Sequence, residues 1–469
     1  MSDLSPYVST NPATGETLAR FPLHSDAEVL TMLAVADQAF RTDWNALGVT
    51  GRARIVGDAA RLMIERSEDL ARLATLEMGK RIAESRDEVA ISAAILTYYA
   101  ENGARFLAPE PIVSDRFDAH MEFSPMGVLL GIQPWNYPYY QLARFAAPNL
   151  VSGNTLLVKH APGVPQCAMA FARLFHDAGA PAGAYANVFL SNDQAGAVID
   201  DPRVRGVALT GSERAGEAIA ARAGRNLKKS TMELGGSDAF IVLEDADLDT
   251  VVKLAIIGRV GNCGQTCIGA KRFIIVGIER SEQFISKFAA AMAALSAGDP
   301  MDEAVTFGPL SSQAALDRIL DQIARSRAAG ARIVCGGERI ARPGAYLQPT
   351  ILVDIERANP AYSEEFFGPV AVVLTAADED AAIALANDTP FGLGGSIYTP
   401  DIERAKRLAS RVETGMMFIN YPSISAPELP FGGVKRSGYG KELGHYGIEE
   451  FLNRKLVCAV KGSTAGLVG

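Results

Sequence analysis

Short segments rich in β-branched and other apolar residues alternate with segments of helical character between residues 127 and 210. The predicted strands are residues 127–132, 155–159, 186–190 and 204–209. The predicted helices between them are residues 140–151, 164–178 and 193–200. Strands that are joined by helices in this way lie parallel in one sheet, because each helix carries the chain back to the same edge. The alternation therefore predicts a doubly wound α/β sheet.

The remaining segments extend this prediction to the whole chain. Helices are predicted from the capping box at Ser25 and at residues 52–65, 67–78 and 84–105. A second α/β pattern follows Gly235-Gly236, with strands at 272–276, 370–374 and 415–419 and helices near 281–296, 312–329 and 378–387. Residues 107–125 are polar and lack helical period, and the tail after about 451 is mildly apolar and ends in small residues, so either could form an edge hairpin or strand. We predict an α/β fold of three parts: residues 1–106 with 126–234, residues 235–434, and a small element of residues 107–125 with 451–469.

Composition excludes several classes of protein. The 469 residues include 45 basic and 54 acidic side chains, and the net charge of −9 opposes binding to nucleic acid or anionic lipid. The N-terminus lacks the features of a signal peptide, and no apolar run reaches the ~18 residues that a membrane span needs. Five cysteines and five scattered histidines show neither a disulfide framework nor a metal-binding spacing. We expect a cytoplasmic protein with reduced thiols and no bound metal.

Residues 207–216 form a strand that turns through Gly211 and Ser212 into an alanine-rich helix. Such a turn directs free N–H groups and the positive end of the helix toward an anion, most often a phosphate. Gly216 is followed by an acidic and a small residue where a P-loop needs Lys and Ser or Thr, which argues against nucleoside triphosphate hydrolysis. A glycine that is required only by the geometry of the turn is the alternative interpretation.

Three residues in separate motifs have the chemistry of an active site. Cys267 ends the glycine-rich sequence Gly-Asn-Cys-Gly-Gln-Thr-Cys and is a candidate nucleophile. Glu233 ends an apolar strand before two glycines, where burial would raise its pKa toward that of a general base. Asn136 stands in Pro-Trp-Asn-Tyr-Pro, a rigid frame that could present its amide to an oxyanion. Taken singly, each has a structural alternative: a core thiol, an ion-paired carboxylate and an Asx-turn.

Together with other motifs, these residues occur in a characteristic order. The motifs are Pro134-Trp135-Asn136-Tyr137-Pro138, Leu156-Leu157-Val158-Lys159, Gly211-Ser212, Glu233-Leu234-Gly235-Gly236, Gly264-Gln265-Thr266-Cys267, Glu365-Phe366-Phe367-Gly368-Pro369 and Pro430-Phe431-Gly432-Gly433. The set resembles the aldehyde dehydrogenase superfamily over almost the whole chain, and Lys159-His160-Ala161-Pro162 is most similar to the bacterial succinate-semialdehyde dehydrogenase branch. The resemblance implies a Rossmann-like cofactor domain, an α/β catalytic domain and a small oligomerisation element, in a homodimer or homotetramer.

The resemblance also implies a reaction and a role for each motif. Cys267 would attack an aldehyde as the thiolate to give a thiohemiacetal, and loss of hydride to NAD(P) would leave a thioester. Asn136 and the Cys267 N–H would hold the oxyanion, and Glu233 would activate the water that hydrolyses the thioester. Glu365 would accept from the nicotinamide ribose, and Phe367 would pack near the nicotinamide. The other expected cofactor-binding residues are Trp135, Lys159, Pro162, Gly211, Ser212, Gly216 and Leu234.

Cofactor choice depends, by the same resemblance, on Lys159 and the residue three positions later. In strongly NAD-selective relatives an acidic side chain near that position binds the adenosine ribose, whereas this chain has Pro162. With Ser212 also near, we expect NADP to be accepted or preferred and NAD to be used as well. His160 is expected to face solvent. Cys263 is expected to be a buried thiol, with a disulfide to the nucleophile as the alternative.

The substrate is expected to be succinate semialdehyde, oxidised to succinate. Arg144 matches by position an arginine that pairs with the substrate carboxylate in related succinate-semialdehyde enzymes; the alternative is a helix-surface arginine. Some of those relatives carry a second arginine where this chain has Gly261. Tyr140 and Phe431, with Trp135, could equally line a tunnel for an aliphatic or aromatic aldehyde. The alternatives are thus a broad-specificity or aromatic aldehyde dehydrogenase and, from another class, a cofactor-independent cysteine esterase.

Overall fold

The structure, a computed structural model, describes residues 7–461. Its first elements are β1 (Tyr7–Thr10), β2 (Thr17–Phe21), α1 (Asp26–Arg41), α2 (Asp43–Ala46), α3 (Gly48–Glu65), α4 (Ser67–Met78), α5 (Ile82–Phe106), β3 (Glu110–Ile112) and β4 (Phe117–Pro125). The next elements are β5 (Val128–Gln133), α6 (Tyr140–Ser152), β6 (Thr155–His160), α7 (Pro165–Asp177), β7 (Tyr185–Asn187), α8 (Asn192–Asp200), β8 (Val204–Thr210), α9 (Glu213–Arg225) and β9 (Lys229–Glu233).

The second half of the chain continues this alternation. Its elements are β10 (Asp238–Val242), α10 (Leu248–Val260), β11 (Ala270–Val276), α11 (Ile278–Ala293), α12 (Gln313–Ala328), β12 (Arg332–Cys335), β13 (Thr350–Val353), α13 (Pro360–Ser363), β14 (Val370–Ala376), α14 (Glu379–Asn387), β15 (Gly395–Tyr398), α15 (Ile402–Ala409), β16 (Phe418–Ile419), β17 (Gly438–Tyr439), α16 (Gly444–Glu449) and β18 (Leu452–Val460). A short 3₁₀ turn at Gly261–Gly264 follows α10.

The first large sheet has the strand order β17-β9-β8-β5-β6-β7. Strands β5 to β9 are parallel, and only β17 is antiparallel. The order reverses between β5 and β8, because β5 continues through α6 to β6 on one side and β8 continues through α9 to β9 on the other. Open α/β sheets bind ligands at such a switch point, outside the carboxyl ends of the strands. The predicted doubly wound sheet is confirmed.

The second large sheet has the order β12-β13-β14-β11-β10-β15-β16 and is parallel except for β12. Its core is built from the apolar faces of β10, β11 and β14 packed against α11 and α12. Strand β16 covers only two residues of the predicted 415–419. The backbone at Gly415 lies against the Gly432 carbonyl, which a Cβ would approach to 1.8 Å, so this position requires a glycine.

Residues 107–125 and the C-terminal segment form a third sheet of order β18-β4-β3. Strand β18 runs antiparallel to β4 over nine residue pairs, from Leu452↔Pro125 to Val460↔Phe117. The predicted edge strands are thus present, whereas residues 462–469 of the predicted tail lie outside the described residues. The domain boundaries drawn from the sequence stay a prediction. Within residues 7–461, no helix is both long and apolar enough to cross a bilayer.

Candidate active site

Two cavities meet at Cys267, which lines both of them. The first has a volume of about 420 Å³ and lies between α5, α6, the turn around residues 261–269 and the segment 421–425. The second has a volume of about 260 Å³ and lies at the carboxyl ends of β5, β8 and β9, against α12 and the loop before β14. Gln141 also lines both cavities. Two small molecules, one in each cavity, could therefore both lie beside Cys267.

Cys267 stands in the turn between α10 and β11. Lys271, at the start of β11, donates hydrogen bonds from Nζ to the carbonyls of Thr266, at 3.0 Å, and Cys267, at 2.6 Å. These bonds fix the backbone of the nucleophile. Burial raises the pKa of the Cys267 thiol to about 11, although the positive charges of Arg144 and Lys271 act in the opposite direction. The thiol is therefore protonated at neutral pH and needs a base to become a nucleophile.

Asn136 follows β5 and lies against the segment that ends in Cys267. Its side-chain Nδ2 donates to the backbone carbonyl of Gln265 at 3.0 Å. The backbone carbonyl of Asn136 accepts from Asn262 Nδ2 at 2.8 Å. Tyr137 Oη lies 3.0 Å from Thr266 Oγ1. A primary amide carries two hydrogens, so the second one is available to a ligand atom in the cavity that Asn136 lines. This is the arrangement that an oxyanion donor requires.

Glu233 ends β9 and is buried, with 2% of the residue exposed. Neither carboxylate oxygen has a hydrogen-bond partner among the described residues. Its Oε1 lies close to Gly432, since a Cβ built on Gly432 would be 2.8 Å from this oxygen. Burial raises the pKa of Glu233 well above its usual value, and the Arg144 guanidinium lowers it again in part. The carboxylate stands behind the cavity wall, and the following residue, Leu234, is the one that lines the second cavity.

Trp135 and Phe367 form the aromatic part of the second cavity, with ring centroids 5.7 Å apart in an edge-to-face arrangement. Gly211 and Ser212 line its other side at the carboxyl end of β8. Glu365 accepts a hydrogen bond from the Gly236 N–H and pairs with Lys271, each at 3.1 Å. The cavity thus offers a carboxylate, a hydroxyl and a helix N-terminus on a mostly apolar wall, as a site for a nucleotide cofactor would.

Comparison with known proteins identifies the family of this chain. Residues 2–457 match the sequence model of the aldehyde dehydrogenase family. The chain belongs to the aldehyde dehydrogenase family. It is 51% identical to a protein of Deinococcus radiodurans named succinate-semialdehyde dehydrogenase [NADP(+)], over 97% of this chain and 95% of that protein. It is 44% identical to the Escherichia coli K12 protein named succinate semialdehyde dehydrogenase [NAD(P)+] Sad, over 96% and 97% of the two chains.

Solved structures of aldehyde dehydrogenases show the same fold. A crystal structure of succinic semialdehyde dehydrogenase from Streptococcus pyogenes in complex with NADP⁺ superposes with a TM-score of 0.95 at 41% identity. The match covers 97% of this chain and all of that one. The structure described as giving insights into cofactor and substrate selection by Gox0499 has a TM-score of 0.95 at 50% identity, covering 96% and 99% of the two chains. The α/β aldehyde dehydrogenase fold predicted from the motifs is confirmed.

Arg144 of this aldehyde dehydrogenase family member does not occupy the position expected from the sequence. It is fully buried, so the helix-surface alternative is wrong. Its guanidinium forms an ion pair with buried Glu442 and donates to Thr210 Oγ1 at 3.2 Å. It lies behind Tyr140 and Phe431, which line the first cavity, and does not line that cavity itself. Its charge is already neutralised, which corrects the expectation of a free partner for a substrate carboxylate.

Three residues expected to bind the cofactor lie apart from the second cavity. Gly216 is buried beneath the side chain of Leu234. A Cβ on Gly216 would lie 2.6 Å from that side chain, so the packing of α9 requires a glycine here. Lys159 is the penultimate residue of β6, its ammonium lies 5.7 Å from the Tyr7 ring centroid, and burial lowers its pKa. Pro162 is exposed on the loop that follows. Lys159 and Pro162 therefore stand at the carboxyl end of β6, which β5 separates from β8 and Ser212.

His160 is buried, and the expectation that it faces solvent is wrong. Its Nε2 lies 2.9 Å from the Pro138 carbonyl, and its Nδ1 lies 2.9 Å from the Ala161 N–H. Burial lowers the pKa of His160 to about 4, so the ring is neutral and donates from Nε2. His160 therefore joins the end of β6 to the loop that carries Asn136. Cys263 is buried as expected, and the described cysteines are all free thiols.

Sequence analysis missed several residues that shape the site of this aldehyde dehydrogenase. Lys271 carried the clearest signal, a lysine inside the apolar strand β11. Gln265 and Asn262 were visible only as polar neighbours of the nucleophile, although they bind the Asn136 loop. Glu442 is buried against Arg144 and lies almost 300 residues away in sequence. Among residues 7–461, no group of three or more His, Cys, Asp or Glu side chains could hold a metal ion.

Proposed function

We propose that this protein oxidises an aldehyde to a carboxylic acid with NADP or NAD, and that succinate semialdehyde is its main substrate. The observation that carries the reaction is the position of Cys267 where the two cavities meet, beside the Asn136 amide. The substrate is supported by the names of full-length relatives at 44–51% identity. When bound, the nicotinamide cofactor supplies the hydride acceptor.

The second cavity fits such a cofactor. Ser212 caps the N-terminus of α9, where free N–H groups and the helix dipole favour a phosphate. Glu365 has one oxygen engaged by Gly236 and Lys271, and its carboxylate reaches the cavity as an acceptor for sugar hydroxyls. Pro162 leaves no carboxylate at its position to repel a 2′-phosphate. We therefore propose that NADP is accepted and that Lys159 lies toward the adenosine end.

The protein's own residues then perform three tasks. Cys267 gives its thiol proton to a water molecule and attacks the carbonyl carbon as the thiolate, and the oxyanion that forms accepts hydrogen bonds from Asn136 Nδ2 and the Cys267 N–H. Loss of hydride from the thiohemiacetal leaves a thioester on Cys267. Glu233 takes a proton from water, which attacks the thioester and releases the acid and the thiol. Since no hydrogen bond within the described residues holds Glu233, its side chain can rotate toward the cavity without breaking one.

The first cavity suits a short aldehyde with a polar end. Tyr140 Oη lies 2.6 Å from Ser425 Oγ, and both residues line the cavity. Among the described residues that line it there is no Lys or Arg, whereas the carboxylates Glu84, Asp87 and Glu88 stand on its wall. A substrate carboxylate would therefore bind to hydroxyl donors, with the Arg144 charge one side chain behind Tyr140. We propose Tyr140, Ser425 and Phe431 as the substrate-facing residues.

Initial rates of reduced-cofactor formation test this function. Succinate semialdehyde, butanal and benzaldehyde are compared, each with NADP and with NAD. We expect a kcat/KM about 100-fold higher for succinate semialdehyde than for butanal, equivalent to about 2.7 kcal/mol. Similar values for all three aldehydes would favour the broad-specificity alternative, which the lack of a cation on the cavity wall supports. No cofactor reduction, with ester hydrolysis alone, would favour the cysteine esterase.

Gly261 offers a test of the charge in the substrate cavity. It lines the cavity, its φ of −47° suits any residue, and nothing lies within 4 Å of a Cβ placed there. Gly261→Arg is expected to lower the KM for succinate semialdehyde by roughly tenfold, because a guanidinium binds a carboxylate strongly. The KM for butanal should change less than about twofold, as should both values in Gly261→Ala. An equal change for both aldehydes in Gly261→Arg would contradict carboxylate recognition.

We also propose that the chain forms a homodimer or homotetramer through its third sheet. Strand β18 pairs with β4 on one edge, and within the described residues no strand pairs with its other edge. Leu456 is 58% exposed and Val460 is 40% exposed on this edge. An exposed edge with apolar side chains is a template for pairing with another chain. Light scattering of the purified protein measures the assembly.

A further inference from the structure

A second charged pair is buried beside the active site and takes no part in the steps above. Lys80 follows α4, Glu88 lies on α5, and their side chains form an ion pair with no exposed surface on either. Taking two charges out of water costs several kcal/mol per ion, and the pair recovers this only when its remaining hydrogen bonds are made. The further contacts of Lys80 and Glu88 therefore show which part of the fold the pair stabilises.

Glu88 completes its hydrogen bonds at the N-terminus of α6. Its Oε1 accepts from the N–H of Tyr139 at 2.7 Å and from the N–H of Tyr140 at 3.1 Å. Tyr139 is the N-cap of α6, and its own side chain does not cap the helix. Glu88 thus supplies the cap from a different helix, and its negative charge is favourable at the positive end of the α6 dipole.

Lys80 contacts Tyr137, in the loop that precedes α6. Its Nζ lies 3.6 Å from the centroid of the Tyr137 ring, a cation–π contact in a buried site. Tyr137 Oη in turn lies 3.0 Å from Thr266 Oγ1, next to the nucleophile. Burial lowers the pKa of Lys80, while the Glu88 carboxylate acts in the opposite direction and favours the charged form.

The loop 134–140 is thus held on both sides of Asn136. The Lys80–Glu88 pair binds Tyr137, Tyr139 and Tyr140, and His160 binds the Pro138 carbonyl at 2.9 Å. Asn136 itself makes only two contacts with the nucleophile segment, through Gln265 and Asn262. The orientation of the Asn136 amide therefore depends on the groups that fix the loop.

We propose that Lys80 and Glu88 are positioning residues for the oxidation, because they fix the loop that presents the Asn136 amide to the oxyanion on Cys267. The inference rests on the proposed role of Asn136. The pair joins α4, α5 and α6 at one point, so the distance between the oxyanion donor and the nucleophile is set by the helices of the first half of the chain. Two apolar side chains of equal volume would fill this space but would leave the N–H groups of α6 without an acceptor.

The test is a comparison of pre-steady-state rates of cofactor reduction with butanal and saturating NADP. Glu88→Gln keeps an oxygen for Tyr139 but removes the charge that pairs with Lys80. We expect its burst rate to fall roughly 10- to 100-fold, since a small displacement of a catalytic group costs up to ~100-fold. The KM for butanal and the Kd for NADP should change less than about threefold. Lys80→Met should slow the burst less, because the α6 cap remains.

Glu77→Gln is the matched control. Glu77 is a similarly buried carboxylate that accepts from the N–H groups of Gln166 and Cys167 at the start of α7, and within the described residues it binds no backbone N–H of the loop 134–140. We expect this variant to lower Tm but to leave the burst rate within about twofold of wild type. A burst rate that falls as much in Glu77→Gln as in Glu88→Gln would overturn the proposal, because the effect would then follow stability.

A double-mutant cycle separates positioning from a merely structural role. In the Asn136→Ala background, Glu88→Gln should slow the burst less than twofold, because the amide that it positions is absent. Additive losses would overturn the inference. If Asn136→Ala alone leaves the burst unchanged, the proposed function of Asn136 fails instead. Should Glu88→Gln not fold, the same cycle with Lys80→Met decides between these outcomes.

Discussion

Cys267→Ala is expected to lower the rate of aldehyde oxidation by at least ~10⁴-fold, because removal of a nucleophile leaves no covalent route to the thioester. Binding of NADP should persist, since the second cavity keeps its other lining residues. Turnover of butanal measures the first effect, and quenching of protein fluorescence on titration with NADPH measures the second.

Cys263→Ala is the matched control for this prediction. Cys263 is a buried thiol four residues earlier that lines neither cavity. Its replacement should leave kcat within a few-fold of wild type, with a modest loss of stability from the smaller side chain. Residual oxidation by Cys267→Ala, or an equal loss in Cys263→Ala, would show that Cys267 is not the nucleophile.

Glu233→Gln is expected to lower steady-state kcat by about 10³-fold, within the range for loss of a general base. A full burst of one reduced cofactor per site should precede the slow phase, because hydride loss comes before hydrolysis of the thioester. Stopped-flow absorbance at 340 nm resolves the two phases. An amide is nearly isosteric with the carboxyl group, and the buried pocket over Gly432 has no hydrogen bond to lose.

Steady-state kcat is also expected to depend on pH through Glu233. Burial raises the pKa of Glu233, so the fraction that is deprotonated and able to act as a base increases as pH rises through that value. Wild-type steady-state kcat should therefore rise with pH, and Glu233→Gln should lose this rise. Wild-type kcat in Glu233→Gln, or loss of the burst together with steady-state turnover, would contradict a role in hydrolysis.

The ion pair of Arg144 could not be predicted from the sequence. The position of Arg144 relative to Asn136 placed it near the substrate, and it does lie behind Tyr140. The sequence could not show that Glu442, which lies just before α16, neutralises it. The same applies to His160, which looks like a loop residue and instead donates to the Pro138 carbonyl inside the fold.

The sequence by itself determined the α/β alternation, the family and the identity of the chemical groups, because periodicity and motif order are local properties of the chain. Cys267, Asn136 and Glu233 were predicted as the reacting groups this way, and Trp135 and Phe367 were named separately as residues of the cofactor site. Only the tertiary structure decided which buried charges face one another. Lys80 with Glu88, and Arg144 with Glu442, meet through helices that are far apart in sequence or whose packing no local pattern encodes. A buried charge is stable only beside its partner, and that partner is chosen by the packing of the whole fold.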